Sequence, residues 1–195
     1  MDDLEGETPL DLREGLLDPS IVNRRQLSIA EAQNLHDATI KYLAGTPSRK
    51  LAPFNYTWVL RLHAEMFGKV WDWAGTIRAV ELNLGSQPAL IVEQLQQLLA
   101  DLVYWRKHWP DPLEQAVHLH YRAVKIHPFR NGNGRWSRML ASIWLKQRRH
   151  PLPVWPAEVG SQVSSLRQEY IDCLKVADAG NLRLLYELHH RLLPK

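Results

Sequence analysis

The sequence predicts an all-α fold in one domain, and three observations carry that expectation. Apolar residues recur at helical spacing along most of the chain, start and stop signals bracket those runs, and only residues 76–84 (Ile77, Val80, Leu82, Leu84) alternate as a strand would. Ser28-Ile29-Ala30-Glu31 reads as a capping box opening a first helix that stops at Gly45. A loop over 46–55 carries Pro47 and Pro53, and a second helix runs from Tyr56 to Gly68. The alternating stretch predicts a short hairpin. A long helix follows over about 88–108, ending before Pro110. Asp111 caps the next, with Pro112 in its first turn and Glu114 after it. Pro128 disfavours helix at the preceding residue, so this helix ends near His127, a helix-end residue aimed out of the fold. Apolar periodicity resumes at Arg135 with Trp136, Met139, Leu140, Ile143 and Trp144. Pro151, Pro153 and Pro156 force an extended connection to two last helices, about 161–179 and 182–193, divided by Gly180 and Asn181. Residues 1–27 read as an acidic N-terminal arm and 28–195 as a single domain.

At 195 residues, with 45% apolar and 23% charged, the chain can bury one core. No apolar run reaches the roughly 20 residues of a membrane span, and Asp2, Asp3, Glu5 and Glu7 oppose a signal peptide, so a cytoplasmic protein without membrane contact is expected. Cys173, the single cysteine, leaves no intramolecular disulfide and no cysteine-based zinc site; beside Ile171, Leu174 and Ala177 it reads as a buried structural thiol. The net charge of +3 is unevenly spread: residues 121–150 hold eight Lys/Arg and no acid, whereas residues 1–20 hold seven acids against Arg13. The basic stretch suits a local anionic ligand better than a nucleic-acid surface, so no direct nucleic-acid binding is expected.

That stretch contains K-I-H-P-F-R-N-G-N-G-R-W-S-R-M-L over residues 125–140. Gly132 and Gly134 permit φ > 0 and close approach, and they precede the N-terminus of the helix resuming at Arg135, an arrangement that binds anions. Arg135 and Arg138, three apart, lie on neighbouring positions of one face. Cations in a first turn oppose the helix dipole unless an anion joins them, and no acid lies nearby in sequence to pair with them. A triphosphate supplies such an anion. His127, with an ordinary pKa near ~6.5, can take a proton from a hydroxyl attacking a phosphorus held there.

The run resembles the signature of the Fic (Fido) family, His-x-Phe-x-Asp/Glu-Gly-Asn-Gly-Arg-x-x-Arg, at His127, Phe129, Gly132, Asn133, Gly134, Arg135 and Arg138, with one departure at Asn131. Trp71 to Arg78 resembles the W-x-W-A-G-x-I-R segment leading into the family's target-docking flap. Thr8 to Asp11, with Glu14, Gly15 and Leu16, resembles a bacterial subgroup called mobile mystery protein B. The resemblance implies a Fic-type helical bundle with a short β-hairpin flap. It implies a nucleotidyltransferase, protein adenylyltransferase type, moving AMP from ATP or another NTP to a protein Ser, Thr or Tyr hydroxyl. His127 is then the base, and Asn131, Gly132, Asn133, Gly134, Arg135 and Arg138 hold nucleotide and phosphates. Ile77 and Arg78 dock the target, although a hairpin arginine is as commonly just solvated.

In the family the acidic position holds Mg²⁺. The neutral amide oxygen of Asn131 is a poorer ligand than a carboxylate, so a slower transferase, a different phosphoryl or nucleotidyl chemistry, and a non-catalytic nucleotide-binding module of a toxin-antitoxin-like pair all stay open. The glycine turn disfavours the kinase-like Doc branch, which carries a bulkier Ala-Asn-Lys turn. Of the family's inhibitory element, Ser/Thr-x-x-x-Glu-Gly/Asn, only the spacing of Ser165 and Glu169 is present, with Tyr170 following. The resemblance thus implies no self-inhibition through it, and by analogy with the subgroup a helix-turn-helix, antitoxin-like partner.

Phe129 reads as an anchor holding the motif loop on the core. His118 and His120, two apart on a helix, point apart, and His189 with His190 lies on a late, exposed-looking helix, so no histidine metal site is expected. Trp58, Trp105, Trp136 and Trp144 fall on apolar faces and read as core.

Overall fold

In the computed structural model, described for residues 14–155 and 165–195, seven α-helices and one 3₁₀ turn account for the regular structure. They are α1 (Arg24–Leu43), α2 (Tyr56–Phe67), the 3₁₀ turn (Pro88–Leu90), α3 (Ile91–His108), α4 (Pro112–Ile126), α5 (Asn133–Gln147), α6 (Ser165–Asp178) and α7 (Arg183–Arg191). The helices α4 and α5 form the central pair. α3 and α7 pack on α4, α1 and α2 pack on α5, and α6 lies against α7. No helix among the described residues is long and apolar enough to cross a membrane.

The core is rich in indoles, and the most deeply buried of them have acceptors for their N–H groups. Trp58, Trp136 and Trp144 are almost wholly buried, and Trp105 is nearly so. Trp136 Nε1 donates to Val59 O at 3.0 Å and Trp144 Nε1 to Gln115 Oε1 at 3.1 Å. Gln115, itself buried on α4, donates onward to Trp109 O at 2.6 Å, so the polar atoms close on one another. Cys173 is buried, as its apolar neighbours imply.

The structure starts α1 earlier than the sequence suggests. Asn23 Oδ1 accepts the Gln26 N–H at 3.0 Å, and Gln26 Oε1 accepts the Val22 N–H at 2.9 Å, a reciprocal cap one turn before Ser28. Glu31 is thereby freed for the core. Residues of the expected arm lie on the domain: Leu17 N–H donates to Val70 O, Asp72 N–H to Gly15 O, and Leu16 bridges Trp71. Thr8 to Asp11 fall outside the described residues.

The hairpin over residues 76–84 carries no strand in the structure. The carbonyls of Val80 and Ser86 instead accept the Arg78 guanidinium, at 2.7 and 2.5 Å, and the Arg78 N–H donates to Pro128 O at 3.0 Å. One buried cation has replaced the cross-strand ladder, and it ties the segment to the loop after α4.

Asp111 caps α4 through Leu113 N–H at 2.8 Å and accepts the Tyr186 hydroxyl of α7 at 2.8 Å. Asp111→Ala is expected to destabilise the fold by about 1–2 kcal/mol, read from urea unfolding; a loss below ~0.3 kcal/mol contradicts the double role.

Candidate active site

Helix α4 ends at His127, which adopts the left-handed conformation (φ 52, ψ 59) just before Pro128. The residue is recessed, not aimed outward: it is 9% exposed, because residues 78–86 fold across it. Gly85 is the contact point. With φ +98, it sits where a Cβ would fall 2.4 Å from His127 Cβ, so only glycine lets this segment close over the histidine. Arg78 Nε donates to His127 O at 2.8 Å and Ser86 N–H to Ile126 O at 3.2 Å. His127 Nδ1 lies 3.2 Å from Val124 O, a partner that can only accept, so Nδ1 carries the proton and Nε2 the lone pair. Burial pushes the His127 pKa down to about 4, with the Arg78 charge adding to the shift.

The loop after His127 closes on itself. Phe129 N–H donates to Asn133 Oδ1 at 2.9 Å, and Asn133 Nδ2 returns a bond to Phe129 O at 2.8 Å. Asn133 is 2% exposed and is the first residue of α5, two earlier than expected. Phe129 is fully buried, edge-on to Trp136, as an anchor should be.

The two glycines divide their work. Gly132 has φ +77, and a Cβ there would lie 2.7 Å from the Phe67 ring. Gly134 needs no positive φ; a Cβ on it would meet only Arg138 Nη1, at 3.9 Å, so the space over the start of α5 is open. The Arg138 guanidinium stacks on Trp155 and Tyr170.

Arg135, whose basic surroundings imply no acidic partner, has one from another helix. Glu31 of α1 accepts it at 2.5 Å while also accepting Trp71 Nε1 at 2.7 Å, and the guanidinium lies over Phe67. Arg78 is 3% exposed with its guanidinium engaged by carbonyls, whereas Ile77 is half-buried and Val80 and Leu84 form the exposed rim of the segment. The signal for Glu31 was present: an acid on the otherwise buried stripe Leu27, Glu31, Asn34, Ala38. His63 was also missed and is fully buried beside the loop.

The remaining histidines differ from expectation. His189 is buried, and His120 and His189 meet at 2.8 Å. His189 Nδ1–H donates to Leu185 O, His120 Nδ1–H to His189 Nε2, and the Tyr170 hydroxyl to His120 Nε2, which accounts for two neutral rings. Among the described residues no group of three or more His, Cys, Asp or Glu is placed to hold a metal. Asn131 Oδ1 accepts the Gly132 N–H at 2.6 Å and is uncharged, so this donor set does not fit a protein-held Mg²⁺. Glu169 of α6 pairs with Arg191 of α7 at 2.5 Å, on the solvent side of these helices.

Residues 53–145 match the Fic/DOC family model. Protein adenylyltransferase fic-1 of Caenorhabditis briggsae is 30% identical over 153 residues, and Protein adenylyltransferase Fic of Culex quinquefasciatus is 29% identical over 152. Each match spans 75% of this chain but 29% of the relative, so the chain spans under a third of the length of these curated relatives. In structure, Fic-1 (residues 134–508) of C. elegans superimposes with a TM-score of 0.69 at 26% identity, over 93% of this chain and 52% of that one. The BepC protein of Bartonella tribocorum, solved with bound AMPPNP, shares the fold with a TM-score of 0.66 at 18% identity, over 98% and 96%. The chain carries a Fic/DOC family domain.

Burial lowers the pKa of His63 to about 3 and of His127 and His189 to about 4, and it lowers that of His120 as well. In the unfolded chain these rings protonate near 6.5, so below that pH the unfolded state binds more protons and stability falls as pH drops. The urea midpoint should therefore decrease between pH 7 and 5, where carboxylates scarcely titrate. Each ring adds a slope of at most about 1.4 kcal/mol per pH unit, and a flat or rising midpoint contradicts the neutral assignment.

Proposed function

We propose that this chain transfers AMP from a nucleoside triphosphate, ATP first, to a Ser, Thr or Tyr hydroxyl of a protein. One observation carries the reading. A single loop, closed by the Asn133–Phe129 pair, sets an imidazole with a free lone pair beside a helix N-terminus that is open over Gly134 and flanked by Arg138. His127 Nε2 takes the hydroxyl proton while the hydroxyl oxygen attacks the α-phosphorus. The bond from that phosphorus to the bridging oxygen breaks, and pyrophosphate leaves. The amides of Gly134 and Arg135 and the Arg138 guanidinium hold the phosphates, the Gly132 amide joins them when a phosphate oxygen displaces Asn131 Oδ1 from it, and Asn131 and Asn133 shape the loop. Arg135, neutralised by Glu31, contributes mainly its backbone. The docking role of the flap falls to Ile77 and the exposed rim, with Arg78 holding the segment in place. The relatives named protein adenylyltransferases support the same chemistry. Any Mg²⁺ is carried by the nucleotide's own phosphates.

A second reading is a nucleotide-binding interaction module of a toxin-antitoxin-like pair, favoured by the Asn131 amide turned onto Gly132 N–H. The bacterial subgroup, the cytoplasmic location, the toxin-like role and a helix-turn-helix antitoxin-like partner belong to our proposal on either reading.

Nucleotide should stabilise the fold, and Arg138→Ala should reduce that stabilisation by about 1.5–3 kcal/mol in thermal-shift titrations. His127→Ala should abolish transfer of α-labelled nucleotide while leaving nucleotide affinity nearly intact; equal labelling by wild type and mutant removes His127 from its role. Asn131→Asp discriminates between the readings. A carboxylate beside the phosphates should tighten Mg²⁺ and raise labelling. If it instead weakens nucleotide binding at every Mg²⁺ concentration with no gain in labelling, the interaction module is correct.

A further inference from the structure

His63, on α2, is fully buried and has no counterpart in the motif, yet it touches both the motif loop and the turn leading into the covering segment. Its ring stacks on Phe129 with centroids 3.7 Å apart and planes 20° from parallel, and it packs on Phe67 at 4.8 Å. Gly75 N–H donates to Nδ1 at 3.0 Å, which makes Nδ1 an acceptor and leaves the ring proton on Nε2. Nε2 in turn lies 3.0 Å from Asn131 O, which can only accept. Both ring nitrogens thus have one consistent role each, and the tautomer is determined by the fold.

The bond to Asn131 O has a directional consequence. No peptide bond among the described residues is cis, and in a trans peptide the C=O and N–H point opposite ways. With the Asn131 carbonyl turned inward onto His63, the Gly132 N–H points outward, to the side where Asn131 Oδ1 accepts it. Gly132 lies so close that a Cβ would be 3.2 Å from His63 Nε2. The loop therefore rests on the imidazole at this peptide.

We propose that His63 is a positioning residue of the phosphate loop: its Nε2–H holds the Asn131 carbonyl inward and so turns the Gly132 N–H to the outer side, where a bound phosphate takes the place of Asn131 Oδ1 as its acceptor, while its Nδ1 couples that loop to the Gly75 turn leading into the covering segment. The proposal rests on the nucleotide reading for its functional consequence. Its structural half is independent of that reading.

Three substitutions separate the two bonds. Gln carries an amide N–H at about the position of Nε2, Asn an acceptor oxygen at about the position of Nδ1, and Phe keeps the stack on Phe129 with neither bond. In ¹H–¹⁵N spectra of the ligand-free protein, the Asn131 and Gly132 amide signals should move in His63→Asn and His63→Phe and stay near wild type in His63→Gln. The His63 ¹⁵N pattern of the wild type should be that of the Nε2–H tautomer. Nucleotide affinity should fall at least tenfold in the Asn and Phe variants, with Gln recovering most of it. If the Phe variant does not fold, the Asn and Gln pair decides. Loop amides unmoved in Asn, or wild-type affinity in Asn, overturn the proposal. If wild type binds no nucleotide while the amide pattern holds, the positioning stands and the nucleotide reading falls.

Discussion

The site depends on a left-handed turn at a residue that is not glycine. A side chain in that region costs about 1–2 kcal/mol, and His127 bears the cost because its surroundings over-determine the turn. Pro128 denies the helix its next residue, Arg78 takes the His127 carbonyl, Ser86 takes that of Ile126, and His127 Nδ1–H is held by Val124. Reversing direction at this point sends Phe129 into the core and returns the chain so that Asn133 closes on Phe129. The imidazole's lone pair and the amides of α5 are thus two products of one backbone turn.

Charge at the site is divided among its three arginines by what each meets. Arg135 in the first turn of α5 opposes the helix dipole, and its ion pair with Glu31 removes that penalty. Glu31, nearly buried, is itself stabilised by the Trp71 indole N–H, as a carboxylate removed from water requires. Arg78 spends its donors on backbone carbonyls in place of a strand ladder. These two cations build the site. Arg138 lies over the Trp155 and Tyr170 rings and ends beside Gly134, at the start of α5 where the proposed phosphates bind.

The helices, their order and the motif loop were legible because they rest on local rules: Asp111 with Pro112, Gly68 after the run from Tyr56, proline after His127. What was not legible came from long-range partners. The lack of acids near Arg135 in sequence said nothing about Glu31, 104 residues away. The alternation over residues 76–84 was real, but a buried guanidinium outbid the ladder for its carbonyls. His189 looked exposed on a polar helix because the burying surface belongs to α4. His63 carried no sequence signal at all beyond a polar residue among Leu62, Met66 and Phe67, since its role is defined by a carbonyl of another segment.

The depressed basicity of His127 bears on the proposed adenylyl transfer. A base is most effective when its pKa lies near the working pH, and a value of about 4 leaves the ring neutral and ready but weak. The causes are burial and the Arg78 charge, and the phosphates of a bound triphosphate oppose the second. Negative phosphate oxygens beside the ring favour its protonated form, so on the nucleotide reading they act to raise the pKa. On this reading the histidine gains strength as a base only when the nucleotide whose phosphorus is to be attacked is already bound.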